Sequence, residues 1–493
     1  MRNVKPRVWP KIKFARIVNL LRLLLLAALL GLTTTGTASA QTLTTLFSFT
    51  DSISTALNGN IPDTALVQGT NGQLDGATWA GGESPSTGGG GGTVFKITTD
   101  GAEKTIASLS TSFTQYPYGA NPNALLQGTD GNFYGTANDG GIGFGTVFKV
   151  TPTGVLTVLH TFCSTGFDGF CPDGSAPNSL IEGSDGNLYG TTVSGGNDVT
   201  VNGAYGAGTI FKITKAGKLT TLYAFCSAAD CADGSLPIGG LIEATNGYFY
   251  GVAGTVAFKL SPGGTFTTLA TLASNSKGAL LQAADGYFYG TLANGTVFRM
   301  TAAGRVKTFA TTDGTPYAGL IQGTDGNFYG TNYVGGPDSN PGCQGGRCGS
   351  VFQITPTGSV TTLYNFCSQP NCTDGSSPLA GLMQDTNGLF YGTTQSGGAH
   401  SPGFGTVFSL DMGLGPFVAT RPNRGLAGAS IKILGDNLTG TTSVTFNGTP
   451  ATFTVLSATQ IEAAVPTGAT TGAVQVTTPS GTLASNTAFT VVP

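Results

Sequence analysis

The stretch ALLQGTDGNFYGT, residues 124–136, decides the fold of this chain, because it recurs. It returns as SLIEGSDGNLYGT from Ser179, GLIEATNGYFYGV from Gly240 and ALLQAADGYFYGT from Ala279. Further copies are GLIQGTDGNFYGT from Gly319 and GLMQDTNGLFYGT from Gly381, and a degenerate first copy, ALVQGTNGQLDGA from Ala65, makes seven. A second segment follows each copy: GTVFKIT from Gly92, GTVFKVT from Gly145, GTIFKIT from Gly208, VAFKLS from Val256, GTVFRMT from Gly295, GSVFQIT from Gly349 and GTVFSLD from Gly405. After a short turn, most copies add a third element of the type LTTLY. Self-similarity at this period is the mark of a repeat architecture.

Each copy holds four short runs rich in β-branched and aromatic residues, which read as strands. Run A is ALLQG, run B is FYGT, run C is TVFKI and run D is LTTLY. Asp-Gly or Asn-Gly separates A from B, the strongest short hairpin signal. Pro-Thr-Gly or a similar turn separates C from D. Four antiparallel strands in each of seven copies predict an all-β chain, a seven-bladed β-propeller. The seventh copy stops at GTVFSLDMG without a run D, while an unmatched LTTLFSF stands at residues 43–49. That N-terminal run is expected beside run C of the last blade, where it would close the ring and remove the free edges. An open β-solenoid would not explain a missing last strand and a matching first one.

The run B tyrosines Tyr134, Tyr189, Tyr250, Tyr289, Tyr329 and Tyr391 are 55, 61, 39, 40 and 62 residues apart. The variation falls in the B–C loops and in the D–A loops that join blades. In an up-and-down blade these two loop types open on one rim, opposite the tight A–B and C–D turns. Variable loops on a rigid scaffold are where binding sites are usually built. The long-loop rim is therefore the expected binding face.

Composition agrees. Charged residues are 10 % and Gly is 78 of 493, without a three-residue period. This excludes charged heptads, collagen and a basic nucleic-acid footprint. The apolar share, 39 %, supports a core and speaks against disorder.

The first 40 residues are different material. Seven basic residues and no acid precede an apolar run at residues 23–32, and Ala38-Ser39-Ala40 follows. This is the pattern of a secretory signal peptide, and the apolar run is too short for a membrane anchor. Its removal lowers Lys+Arg from 22 to 15 against 25 acids, a formal charge of −10. Such a surface repels nucleic acid and anionic lipid. No later stretch is apolar enough to span a membrane, so a secreted or cell-surface location is expected.

The eight cysteines form four close pairs: Cys163/Cys171, Cys226/Cys231, Cys343/Cys348 and Cys367/Cys372. In an exported chain these read as local disulfides that pin loops. A zinc site would need four converging ligands, and the only histidines are His160 and His400.

The paired DGN-F/L-YG and GTVFKITP-like segments over roughly residues 41–412 resemble the bacterial GloVer tandem-repeat family of exported surface proteins. The resemblance implies a repeat fold and export, and no chemistry. After Met412 the repeat stops and residues 413–415 form a short linker. Residues 416–493 alternate strand runs with Gly/Asn turns, the pattern of a small immunoglobulin-like sandwich. The loose Pro-x-x-G-x-x-G opening at residues 422–428, then IKILGDNL, VTFNGTPA and AAVPTG, resemble an IPT/TIG domain. Such domains are accessory modules of exported proteins or, elsewhere, DNA binders. After Arg424 only Lys432 is basic here, which disfavours DNA. The domain boundaries expected are 1–40, 41–412, 413–415 and 416–493.

Run A carries Gln or Glu at one position in every copy: Gln68, Gln127, Glu182, Glu243, Gln282, Gln322 and Gln384. A ring of seven near the axis could hold a cation, but sevenfold repetition favours a structural ring of hydrogen bonds between blades. Asp173, Asp233, Asp313 and Asp374 sit in Asp-Gly turns of D–A loops and are candidate binding-face residues. A turn explains them without calcium. Neither histidine sits in a nucleophile motif, so no residue is assigned as catalytic or metal-binding and no cofactor is expected. The expected function is a monomeric surface binding or scaffold protein for a carbohydrate or protein partner. The alternative is a secreted carbohydrate-active enzyme with two carboxylates on the long-loop rim.

Overall fold

In the computed structural model the described residues are 41–492, except 51–57, 83–89, 110–118, 165–170, 198–199, 202–203, 337–347 and 401–402. The expected signal peptide, residues 1–40, lies outside them. So does Cys343, the expected partner of Cys348.

The repeat region is all-β. Runs A to D of each copy pair antiparallel in the order A-B-C-D, each copy making its own sheet. In the third copy these strands are Ser175–Glu182, Leu188–Ser194, Thr209–Ile213 and Leu219–Ala224. Seven such sheets follow one another among the described residues. In the last of them the outer position is filled by Thr42–Ser48, which pairs antiparallel with Thr406–Asp411. Strands B and C are buried almost throughout, whereas strand D, at the outer edge, alternates toward solvent.

The repeated residues have repeated physical work. The strand B glycine lies directly across from the strand C phenylalanine, as in Gly330 opposite Phe352. The phenylalanine ring fills the volume of the missing side chain, and a Cβ at Gly330 would come within 2.6 Å of it. The neighbouring tyrosine joins sheet to sheet. Tyr189 lies 4.2 Å from Phe249, Tyr250 4.2 Å from Phe288, and Tyr329 4.2 Å from Phe390 between ring centroids. Each of these phenylalanines opens strand B of the next copy. The tyrosine hydroxyl donates to the turn aspartate of its own hairpin, Tyr134 to Asp130 at 2.7 Å and Tyr329 to Asp325 at 2.8 Å. Where the turn carries Asn the direction reverses, and Asn246 and Asn387 donate to Tyr250 and Tyr391.

The run A ring also joins neighbouring sheets. Gln127 accepts from Thr70 N, Glu182 from Thr129 N, Glu243 from Ser184 N and Gln282 from Thr245 N. Gln322 accepts from Ala284 N and Gln384 from Thr324 N, and Gln68 donates to Thr386 Oγ1 in the seventh copy. The chain of contacts thus returns to its start.

Beyond residue 416 two four-stranded sheets enclose a separate core of Val418, Ile431, Ile433, Val444, Phe446, Ile461, Val476 and Phe489 among others. This part rests on the tight A–B turns. Phe417 N donates to Thr386 O at 3.0 Å, Thr459 Oγ1 to Thr70 O at 3.3 Å, and Arg424 Nη1 to Glu243 Oε1 at 2.9 Å. No helix among the described residues is long and apolar enough to cross a membrane.

Gly330→Ala should drive a methyl into the Phe352 ring and lower unfolding free energy by about 1–3 kcal/mol. Gly415→Ala, at a position with open space around it, should leave the denaturant midpoint unchanged. A second expectation concerns pH. Asp75 and Asp385 are 1 % and 2 % exposed, and burial pushes both carboxyls up to about 7. Lys96 and Arg421 pull Asp75 down, and Asp436 pushes Asp385 further up while Arg421 pulls it down. Burial likewise raises Asp63 to about 7. The unfolded chain ionises these groups near 4 and the folded chain near 7, so the folded state holds more protons in between. Their stabilisation is complete below about pH 4 and is lost as pH rises through 7. The thermal midpoint should fall between pH 5 and pH 8, and Asp75→Asn with Asp385→Asn should flatten that slope.

Candidate functional site

The C-terminal sheets sit on the tight turns, and the B–C and D–A loops form the opposite rim of the repeat region. Among the described residues three disulfides stand there: Cys163–Cys171, Cys226–Cys231 and Cys367–Cys372. Each closes the start of a D–A loop. Two of the loops, CSAADC and CSQPNC, turn in the same way through a short 3₁₀ segment, Ala229–Cys231 and Pro370–Cys372. The sulfurs of Cys348, Cys367 and Cys372 lie within 4.8 Å of one another. All three are disulfide-bonded, so they offer no thiolate to a metal.

The Asp-Gly aspartates brace these loops from within. Asp374 accepts from the Tyr364 hydroxyl at 2.8 Å and from Ser368 N at 2.9 Å. Asp233 accepts from the Tyr223 hydroxyl at 2.6 Å and from Ser227 N at 2.9 Å. Burial and the neighbouring carboxylate raise the Tyr364 hydroxyl to about 12, and they push Tyr223 in the same direction. In the first disulfide loop a histidine stands in the tyrosine's place, and His160 Nε2 meets Asp173 Oδ2 at 2.8 Å while Asp173 also accepts from Cys163 N. Asp313, whose loop has no cysteine, accepts from Asn332 Nδ2 and Thr362 Oγ1. The four aspartates thus lie in four separate loop braces, two of them buried, and do not converge on one point.

Other side chains face outward on this rim. Trp79, at the end of a strand B, is 41 % exposed. Tyr317 and Tyr333 stack with ring centroids 4.8 Å apart and planes 7° from parallel. Lys277 Nζ sits 3.7 Å from the Tyr317 centroid, and the Tyr333 hydroxyl donates to Gln395 Oε1 at 3.2 Å. Ile238 is also exposed. These residues lie outside the repeat consensus. The signal was present as departure from it: Trp79 and Tyr333 stand where other copies have Asn138, Val193, Gly254 and Ala293. The stacked Tyr317–Tyr333 pair beside a cation and an amide suits a ligand with flat apolar faces and polar edges.

The profile of a family described as a Gloeobacter/Verrucomicrobia repeat matches residues 30–256 and 252–453. That of the IPT/TIG domain matches residues 418–491. Among solved structures, a streptogramin B lyase is 14 % identical over 75 % of this chain and 97 % of its own, with a TM-score of 0.50. The WD40 β-propeller domain of Doa1 is 11 % identical over 75 % of this chain and 97 % of its own, with a TM-score of 0.46. A gluconolactonase from Xanthomonas campestris is 11 % identical over 76 % and 90 %, with a TM-score of 0.39. At these identities the likeness is one of fold, which is propeller-like. No curated protein matches the chain.

The loop braces make a direct expectation. Asp374→Ala leaves the Ser368 N–H and the Tyr364 hydroxyl without their acceptor and should cost about 1–3 kcal/mol. Asp374→Asn, which keeps an acceptor oxygen, should recover most of it in the same denaturation measurement.

Proposed function

The chain belongs to the Gloeobacter/Verrucomicrobia repeat family, and from that premise we propose that it is an exported surface protein that binds a carbohydrate or protein ligand on its long-loop face. The observation that carries this reading is the asymmetry of the two rims. The C-terminal domain, an IPT/TIG domain, covers the tight turns through Thr70, Glu243 and Thr386. The opposite rim is braced by disulfides and presents Trp79, Tyr317, Tyr333 and Lys277. The seven sheets are read as the blades of a closed seven-bladed propeller, in which Thr42–Ser48 completes the last blade. Residues 416–493 are read as an immunoglobulin-like sandwich behind a linker at 413–415. The disulfides support an oxidising, extracellular setting, and residues 1–40 are read as the export signal.

A carbohydrate-active enzyme on the same face is the second reading. It draws on His160 and Asp173, whose side chains, 20 % and 18 % exposed, meet at 2.8 Å. Tyr223–Asp233 and Tyr364–Asp374 occupy the same place in the other two disulfide loops, so the pair is first of all a brace.

The test is a thermal-shift and calorimetric screen of the exported chain against cell-wall and plant polysaccharide fragments and surface-protein extracts. A ligand at 100 times its Kd should add about 2.7 kcal/mol. Tyr317→Ala with Tyr333→Ala should abolish that shift and leave the unliganded midpoint within a few degrees. Binding that survives this double variant and a Trp79→Ala change would overturn the assignment of the face. Turnover of a bound saccharide that is lost in His160→Ala would favour the enzyme.

A further inference from the structure

A second feature lies on the opposite face and is independent of the loop rim. Between the tight turns and the C-terminal domain is a cavity of about 510 Å³, within the usual size range of small-molecule sites. One wall is formed by turns of the second to fourth sheets, with Gln127, Thr129 and Ser184. The other is the segment from Ala419 to Arg424 together with Thr487.

Two arginines stand in this wall, and they are not equivalent. Arg424 has a direct partner, because its Nη1 is 2.9 Å from Glu243 Oε1. Arg421 has none: its Nη1 is shut off from solvent without a hydrogen-bond acceptor. Three carboxylates, Asp75, Asp385 and Glu182, act on it electrostatically. None of them meets it in a hydrogen bond. Glu182 is held by Thr129 N, Thr129 Oγ1 and Lys215 Nζ, the last at 2.6 Å. Asp75 Oδ2 and Asp385 Oδ1 are themselves buried without a partner. The Nε of Arg424 is a further buried donor with no acceptor.

Buried donors of this kind are rare and ask for an explanation. The first copy contributes one. At the strand B position where six copies bury a tyrosine, it has Asp75, so a carboxyl group on this sheet lies within electrostatic reach of the C-terminal arginine where the other sheets present a ring. The guanidinium is a planar fork of donors that matches a carboxylate. Around it, Thr487 adds a hydroxyl, and the Ser184 hydroxyl and the Gln127 amide, already donating to Glu243 and to Gly131 O, keep a lone pair and a second N–H for sugar hydroxyls. A multiply charged anion would be opposed by Glu182 and Glu243 in the same wall, and a metal ion by both arginines. A single negative charge on a polyhydroxy body satisfies both constraints.

We propose that this interdomain cavity binds a carboxylate-bearing sugar, a uronate, with its carboxylate on Arg421 and its hydroxyls on the turn residues. The experiment is isothermal titration calorimetry of the full chain, expressed with its own leader and purified after export. The probes are galacturonate and glucuronate, with galactose and inorganic phosphate as comparisons. Saturable binding of a uronate, with galactose and phosphate at least about tenfold weaker, is the expected result. Arg421→Gln should weaken the uronate at least about tenfold. Because that change also removes a side chain packed at the seat of the domain, Thr487→Trp serves as the second variant. It fills the cavity rim, leaves the arginine in place, and should abolish binding at an unchanged melting temperature. Equal affinity for phosphate would overturn the sugar assignment in favour of a simple anion site. No binding of either uronate, or uronate binding untouched by Thr487→Trp, would overturn the site.

Discussion

Six of the seven joints between neighbouring sheets share one hydrogen bond, from a turn N–H to the run A side chain of the sheet that follows, and at the seventh Gln68 donates to the Thr386 hydroxyl instead. A hairpin turn leaves an N–H that its own strands do not use, and the Gln or Glu of the next copy supplies the acceptor. The contact carries the register from sheet to sheet, so the Tyr–Phe stacks behind it can form at the same spacing each time. Glutamine is enough at five of the seven positions. The third and fourth copies carry glutamate, and there a cation is drawn in: Lys215 to Glu182 and Arg424 to Glu243. The choice between amide and acid at one repeated position therefore helps decide where the C-terminal domain rests.

The same economy runs through run B. Glycine is required because the strand C phenylalanine occupies the space above it, and tyrosine because its ring covers the next sheet while its hydroxyl returns to the turn. Aspartate and asparagine are interchangeable in that turn because the tyrosine hydroxyl can either donate or accept. These contacts are short and local to one sheet or one joint. Loops of any length can then be hung from the other rim without disturbing the ring, and the disulfides and aspartate braces stiffen those loops one at a time.

Much of the fold was legible in the sequence for this reason. Runs A to C and the Asp-Gly or Asn-Gly turns are local patterns repeated seven times, and the repetition averages out the ambiguity of any single short run. The candidate site was legible only in part. Asp173, Asp233, Asp313 and Asp374 stood out as loop aspartates, but whether an aspartate faces outward depends on partners such as Tyr364 or Asn332, which lie outside its own turn. Arg421, next to the Pro-x-x-G opening, carried no signal of its own in the sequence. Its position opposite Asp75 comes from docking between segments more than three hundred residues apart, which no local pattern encodes.

A repeat protein places its self-recognition and its outward recognition in different residues. Positions that are the same in every copy are occupied by contacts between copies, since only a contact that every joint makes will be repeated at every joint. A ligand is a single object and breaks the symmetry, so its residues must be sought where a copy departs from the others. Asp75 in place of tyrosine, Glu243 in place of glutamine, and Trp79 and Tyr333 in place of small or polar residues are such departures. They fall into two groups, on opposite rims. One group faces the C-terminal domain and the other faces solvent, and this division is what makes two separate sites, rather than one, the natural reading of the asymmetry.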